Sequence, residues 1–222
     1  MYVPTTLAQP AAAPLAPIVI SASTTPPFAR PAQTSLSALR TDMDVLEGHA
    51  ASVTGKLTTD LQASKDRPAG LSGRVVTLQA HGSHGWRTLA HTLTDRQGRY
   101  RLRYVPRQTK SEPVRLRFAG DTEDIGSHRR LGRLNVYRLA QVSWYGGGGK
   151  LACGGELTST TMGVANKTLP CGTLVTLRYD GRTVRVPVLD RGPYVAGREF
   201  DLTQATKQAL GFGDLGEVWS TP

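Results

Sequence analysis

The stretch Leu189-Asp190-Arg191-Gly192-Pro193-Tyr194, continuing after Val195 and Ala196 as Gly197-Arg198-Glu199-Phe200-Asp201-Leu202-Thr203, decides the fold. A carboxylate ahead of Arg191, Gly192 and Pro193 is suited to pin a turn by accepting backbone N–H bonds. Some two dozen residues upstream stands a second tight corner, Asn166-Lys167-Thr168-Leu169-Pro170-Cys171-Gly172. Between the two, Thr173 to Tyr179 and Thr183 to Leu189 alternate apolar with polar residues around Asp180 and Gly181. Asp-Gly supplies the positive φ angles of a type I′ turn, so this segment predicts a hairpin. Downstream, Thr203 to Leu210 predicts one short helix, with Asp201 or Thr203 as its cap and Gly211 as its stop. With the glycine run Gly146 to Gly149 ahead of them, two strands and a lone helix fit a small barrel.

As a set, Ser143 to Gly146, Lys167 to Thr173, Asp190 to Tyr194 and Asp201 to Thr203 resemble the signature of the rare lipoprotein A (RlpA) family. The resemblance runs from about Gln141 to the C-terminus. It implies a six-stranded double-psi β-barrel, the fold shared with expansins and barwin-like proteins. Active members of that family are similar to lytic transglycosylases, which cut peptidoglycan strands and leave an anhydro sugar. Such a reaction needs one carboxyl group, acid first to the glycosidic oxygen and then base to the C6 hydroxyl. Asp190 matches the family's catalytic acid, and to work near neutral pH it must be kept protonated by burial or an adjacent carboxylate.

The family usually has a His where this chain has Asn166, and Asn orients oxygens but cannot shuttle a proton. A family Glu on the loop after the first strand is matched approximately by Glu156, displaced by one residue from Gly155 in the gap-free alignment. Asp190, Asn166 and Glu156 are therefore the expected catalytic set, and Tyr145, Arg191, Tyr194 and Asp201 the expected substrate-binding set. Arg191 has two readings: a fork for the lactyl or peptide carboxylate of a muramic residue, or a partner for Asp201. Tyr145 and Tyr194, beside glycines, suit a groove wall, whereas Trp144 and Trp219 are expected to be partly core.

Cys153 and Cys171 lie eighteen positions apart in this region. Zinc wants four N or S ligands and the region holds no His, so no metal site is read there. In an exported protein the two would pair as a disulfide, and in a cytosolic one they would be buried thiols. His81 and His84 lack Cys or acidic partners at ligand spacing, and no cofactor is implied.

The remainder of the 222 residues is organised differently. Residues 1–40, rich in Pro, Ala, Ser and Thr, predict a disordered tether. Met1 to Ala22 has no Lys or Arg and is cut by four prolines, so it does not read as a signal sequence, and export would need one upstream. Leu36, Leu39, Met43 and Leu46 are spaced like a short helix face. Residues 41–139 read as strands separated by turns, resembling immunoglobulin-like or prealbumin-like β-sandwich modules. The boundary to the barrel, residues 140–222, is expected near Leu139 and Ala140. The fold class is thus all-β, a sandwich followed by a barrel.

The net charge is +10, and residues 1–139 carry 19 Lys and Arg against 10 Asp and Glu. Basic residues alternate at Arg99, Arg101 and Arg103 and at Arg115 and Arg117, as on the solvent face of a half-buried strand. Such a face also suits anionic wall polymers. Nucleic acid is disfavoured because no basic stretch interleaves with aromatics, and no apolar run is long enough for a transmembrane helix. The expected role is an extracytoplasmic, wall-associated protein that cleaves peptidoglycan. The alternatives are an expansin-like glycan-binding module and a surface protein whose sandwich recognises a protein partner.

Overall fold

Alternation of apolar and polar residues accounts for nearly every element of the computed structural model, which describes Met1, residues 30–64 and residues 67–221. In chain order the strands are β1 (Thr34–Asp42), β2 (Asp44–Leu46), β3 (Ala51–Ser64), β4 (Arg67–Gly70), β5 (Val75–Gly82), β6 (Gly85–Leu93), β7 (Arg99–Tyr104) and β8 (Lys110–Gly120). They continue with β9 (Ile125–Tyr145), β10 (Gly149–Lys150), β11 (Glu156–Leu157), β12 (Val164–Ala165), β13 (Leu174–Tyr179), β14 (Arg182–Asp190) and β15 (Phe200–Thr203). The single helix α1 (Gln204–Leu210) precedes β16 (Leu215–Thr221).

Two sheets enclose the first core. In one, β3 pairs with β1, β4 and β7; in the other the order is β2-β9-β8-β5-β6. Leu57, Val53 and Leu102 from the first sheet meet Leu78, Leu116 and Leu134 from the second, all essentially inaccessible to water. This is the packing of a β-sandwich.

The helix expected around Leu36 to Leu46 is not there. Thr34 to Asp42 pair antiparallel with Ser52 to Thr59, so a neighbouring strand takes the backbone hydrogen bonds a helix would have kept within itself. Leu36 and Met43 are buried, but Leu39, which a helix would have aligned with them, is exposed. Strand β1 also starts inside the segment expected to be tether; residues 2–29 of that segment lie outside the described residues.

The second core belongs to a closed ring. Strand β9 pairs with β16, β16 with β13, β13 with β14, β14 with β12, β12 with β15, and β15 returns to β9. Six strands therefore close a barrel around Val142, Leu177, Val186, Phe200, Leu202 and Leu210. The predicted hairpin is β13 and β14, with Asp180 and Gly181 at φ 45° and 76°. Helix α1 starts and stops as its sequence requires: Thr203 caps it and Gly211 ends it in the left-handed conformation.

No connecting loop separates the two cores. Strand β9 runs through Leu139 and Ala140, with Leu134 and Val136 in the sandwich core and Ala140 and Val142 in that of the barrel. Asp44 of β2 ties the junction, accepting from Asn135 Nδ2 at 2.8 Å, Tyr137 Oη at 3.1 Å and Arg178 Nη1 of β13 at 3.3 Å.

Candidate active site

Strand register brings two acidic residues of the C-terminal region, Asp190 and Asp201, into one row. Asp190 at the end of β14 lies beside Ala165 of β12, Ala165 beside Asp201 of β15, and Asp201 beside Ser143 of β9. Strands lie about 4.8 Å apart, so the two aspartate backbones are roughly 10 Å apart across one intervening strand. Phe200 and Leu202 enter the core, and by alternation Asp201 faces away from it. There Asp201 Oδ1 accepts from the Ser143 hydroxyl, whose oxygen accepts from Arg198 Nη1 at 3.1 Å.

Asp190 is held from the other side. Its Oδ1 accepts from its neighbour Arg191 N at 2.9 Å and from Ala152 N at 3.0 Å. Ala152 belongs to the loop between β10 and β11, and a disulfide between Cys153 and Cys171 ties that loop to the Asn166–Gly172 corner. Cys153 N also donates to Leu189 O at 3.2 Å. The carboxylate thus pins a turn, as its sequence context suggests, but it joins two separate segments in doing so.

Tyr145 completes the group. It stands two residues beyond Ser143 on β9, and its hydroxyl is buried without a hydrogen bond of ordinary geometry among the described residues. Burial, then the charge and close approach of Asp190, then Asp201, push its pKa well up. Its hydroxyl therefore belongs to the carboxylate cluster, where sequence suggested only a ring to wall a groove.

The other expected site residues are placed differently. Asn166 is 5% exposed and its amide is turned inward. Its Oδ1 accepts from Thr168 N at 3.0 Å and Leu169 N at 2.8 Å, while Nδ2 donates to Glu199 O at 3.1 Å. Together with Thr168, Leu169, Glu199 and Thr221 it lines a cavity of about 330 Å³. Arg191 makes no ion pair with Asp201 among the described residues. Its Nη1 donates to Asn166 O at 3.0 Å and Leu169 O at 2.9 Å, and Nη2 approaches Cys171 Sγ at 3.1 Å. Glu156 is exposed on β11 opposite Lys150.

Tyr194, which follows a cis Gly192–Pro193 bond, is 82% exposed. Trp144, expected to be partly core, is 37% exposed; its Nε1 donates to Asp214 Oδ1 at 2.8 Å, and Lys207 Nζ lies 4.0 Å over its ring. A helix lysine thus covers one face of the ring and a loop aspartate takes its N–H. Trp219 packs at a tilt on the buried Tyr137, as expected of a ring at the edge of a core.

Ser143 and Arg198 are the residues that sequence reasoning left without a role. Both stood inside quoted motifs, but their meeting with Asp201 depends on the parallel pairing of β15 with β9, to which no local pattern points.

Residues 139–219, from β9 to β16 and spanning all six barrel strands, match the sequence family described as lytic transglycolase. This part of the chain is an RlpA-like double-psi β-barrel. Over 80 residues the RlpA-like barrel is 42% identical to the probable endolytic peptidoglycan transglycosylase RlpA of Aquifex aeolicus, covering 34% of this chain and 35% of that protein. It is 39% identical over 84 residues to the endolytic peptidoglycan transglycosylase RlpA of Neisseria meningitidis serogroup A, covering 36% and 35%. The chain thus spans about a third of the length of these relatives. Among solved structures, Streptomyces papain inhibitor is 25% identical over 38% of this chain and 92% of its own, at a TM-score of 0.33.

Proposed function

We propose that the RlpA-like barrel cleaves peptidoglycan glycan strands by lytic transglycosylation, outside the cytoplasm, with Asp190 as the acid and base. The observation that carries this reading is the single row of Asp190, Ala165, Asp201 and Ser143, with the buried Tyr145 hydroxyl beside both carboxylates. One oxygen of Asp190 is fixed by two backbone amides, which orients the carboxyl and leaves Oδ2 as the oxygen those amides do not engage. Protonated, that group gives its proton to the glycosidic oxygen as the bond to the leaving sugar breaks. As a carboxylate it then takes the proton of the muramic C6 hydroxyl, which closes on C1 to form the anhydro ring. Asp201, anchored by Ser143, is the second carboxylate of the row. Tyr194 supplies an exposed aromatic face against which a sugar ring packs.

Asn166 and Arg191 act as positioning residues in this scheme, since the Asn166 amide and Arg191 Nη1 serve the corner that carries them. The same fact favours a second reading, glycan binding without cleavage, because no titratable group occupies the position where the family has its His. Sacculi incubated with the protein and examined by mass spectrometry decide between them. Anhydromuropeptides released by the wild type and reduced about 10²- to 10⁴-fold by Asp190→Asn support cleavage. Sedimentation with sacculi and no release, unchanged by Asp190→Asn and weakened by Tyr194→Ala, supports binding alone.

A further inference from the structure

The outward face of the sandwich sheet β2-β9-β8-β5-β6 carries two basic rows that the barrel does not use. Arg130 of β9 lies opposite Arg115 of β8, Arg115 opposite Gln79 of β5, and Gln79 opposite Thr88 of β6. In the next row His128 faces Arg117, Arg117 faces Thr77, and Thr77 faces His91. Neither row holds a carboxylate. Like charges directly opposite on adjacent strands destabilise a sheet, a cost that an anion laid across the rows would remove.

Arg115 is built into this face. Its Nε donates to Gln79 Oε1 at 2.9 Å, and Gln79 is only 8% exposed. Its guanidinium lies 4.0 Å over the Trp86 ring, which His81 meets edge-on at 5.0 Å. Among the described residues its two terminal nitrogens have neither a hydrogen bond nor an ion pair. A guanidinium tethered at Nε, stacked on an aromatic and open at both terminal nitrogens is a preorganised fork for a phosphate. Arg117, two positions along the same strand, is about 7 Å away. That separation suits successive charges of a chain better than one isolated phosphate.

We propose that this face binds a linear phosphodiester polymer of the cell wall, with Arg115, Arg130 and Arg117 engaging its phosphates. Choosing a wall polymer over nucleic acid rests on the extracytoplasmic reading above; the phosphate chemistry itself does not.

The test measures binding of the full chain to soluble poly(glycerol phosphate), and to sacculi before and after hydrofluoric acid removes their phosphodiester polymers. The wild type should bind poly(glycerol phosphate) with a log–log salt slope of about −2, as for three phosphate contacts. Arg115→Gln with Arg130→Gln should weaken binding at least about tenfold and halve that slope or more. Arg115→Lys, which keeps the charge but not the stacked fork, should weaken it about threefold or more. Thermal unfolding of each variant checks that the fold is kept. Equal binding to treated and untreated sacculi, or variants that bind poly(glycerol phosphate) like the wild type, would overturn the proposal. Tighter binding to double-stranded DNA at equal phosphate would overturn the assigned partner. If the wild type releases no anhydromuropeptides yet binds the polymer as described, the cleavage reading fails and this one stands.

Discussion

Asn166 carries the most at the scale of single residues. The family resemblance makes it a site position lacking a proton shuttle, yet in the fold it closes the corner beneath Asp190 with three hydrogen bonds to backbone. Truncation leaves the N–H groups of Thr168 and Leu169 without their acceptor. Asn166→Ala should therefore cost about 1–3 kcal/mol in urea unfolding; an unchanged midpoint would remove the positioning role. Tyr145 is the reverse case, a hydroxyl buried beside two carboxylates and, among the described residues, without a hydrogen bond of ordinary geometry. Tyr145→Phe should leave stability unchanged or raised by up to about 1 kcal/mol. At the same time it should lower glycan release about tenfold and move its pH profile, because a hydroxyl that interacts with Asp190 is gone. A variant that lost stability in step with activity would show the hydroxyl to be structural.

Among the elements, the loop between β10 and β11 and the Asn166–Gly172 corner are short segments with little apolar surface of their own. The Cys153–Cys171 disulfide joins them, and Ala152 N then reaches Asp190. Closing a loop of this length contributes about 3 kcal/mol by the chain-entropy estimate. Cys153→Ser with Cys171→Ser should lower stability by about that amount. It should also speed amide hydrogen exchange at Ala152 and Cys153 well before the β13–β14 hairpin responds, which mass spectrometry of the exchanged peptides would read. The hairpin and α1 were legible because each is decided locally, by Asp180-Gly181 and by Thr203 and Gly211. The segment from Leu36 to Leu46 has the spacing of a helix face yet is extended, because its backbone partners come from distant strands, β3 for Leu36 to Asp42 and β9 for Asp44 to Leu46.

For the whole molecule, the shared strand β9 and the Asp44 cluster connect sandwich to barrel. Tyr137 at that junction, Tyr100 in the sandwich and Tyr145 in the barrel are each held protonated, and burial is the first cause in all three. A tyrosine whose folded pKa is raised gives stability that is complete below the unfolded value of about 10 and is lost as pH rises beyond it. The urea midpoint should thus be level from about pH 8 to pH 9.5 and fall above about pH 10, with a shallower fall in Tyr137→Phe. By itself the sequence determined the all-β class, the hairpin, the helix with its caps, the family of the C-terminal barrel and the basic excess of the N-terminal part. These follow from alternation, turn chemistry and motif order, which act within a few residues or survive as composition. Only the tertiary structure decided that Asp190, Asp201, Ser143 and Tyr145 share one face, that Asn166 and Arg191 turn inward, and that one strand serves both cores. Each of those depends on register between strands 20 to 60 residues apart, which is set by closing the ring and filling its core.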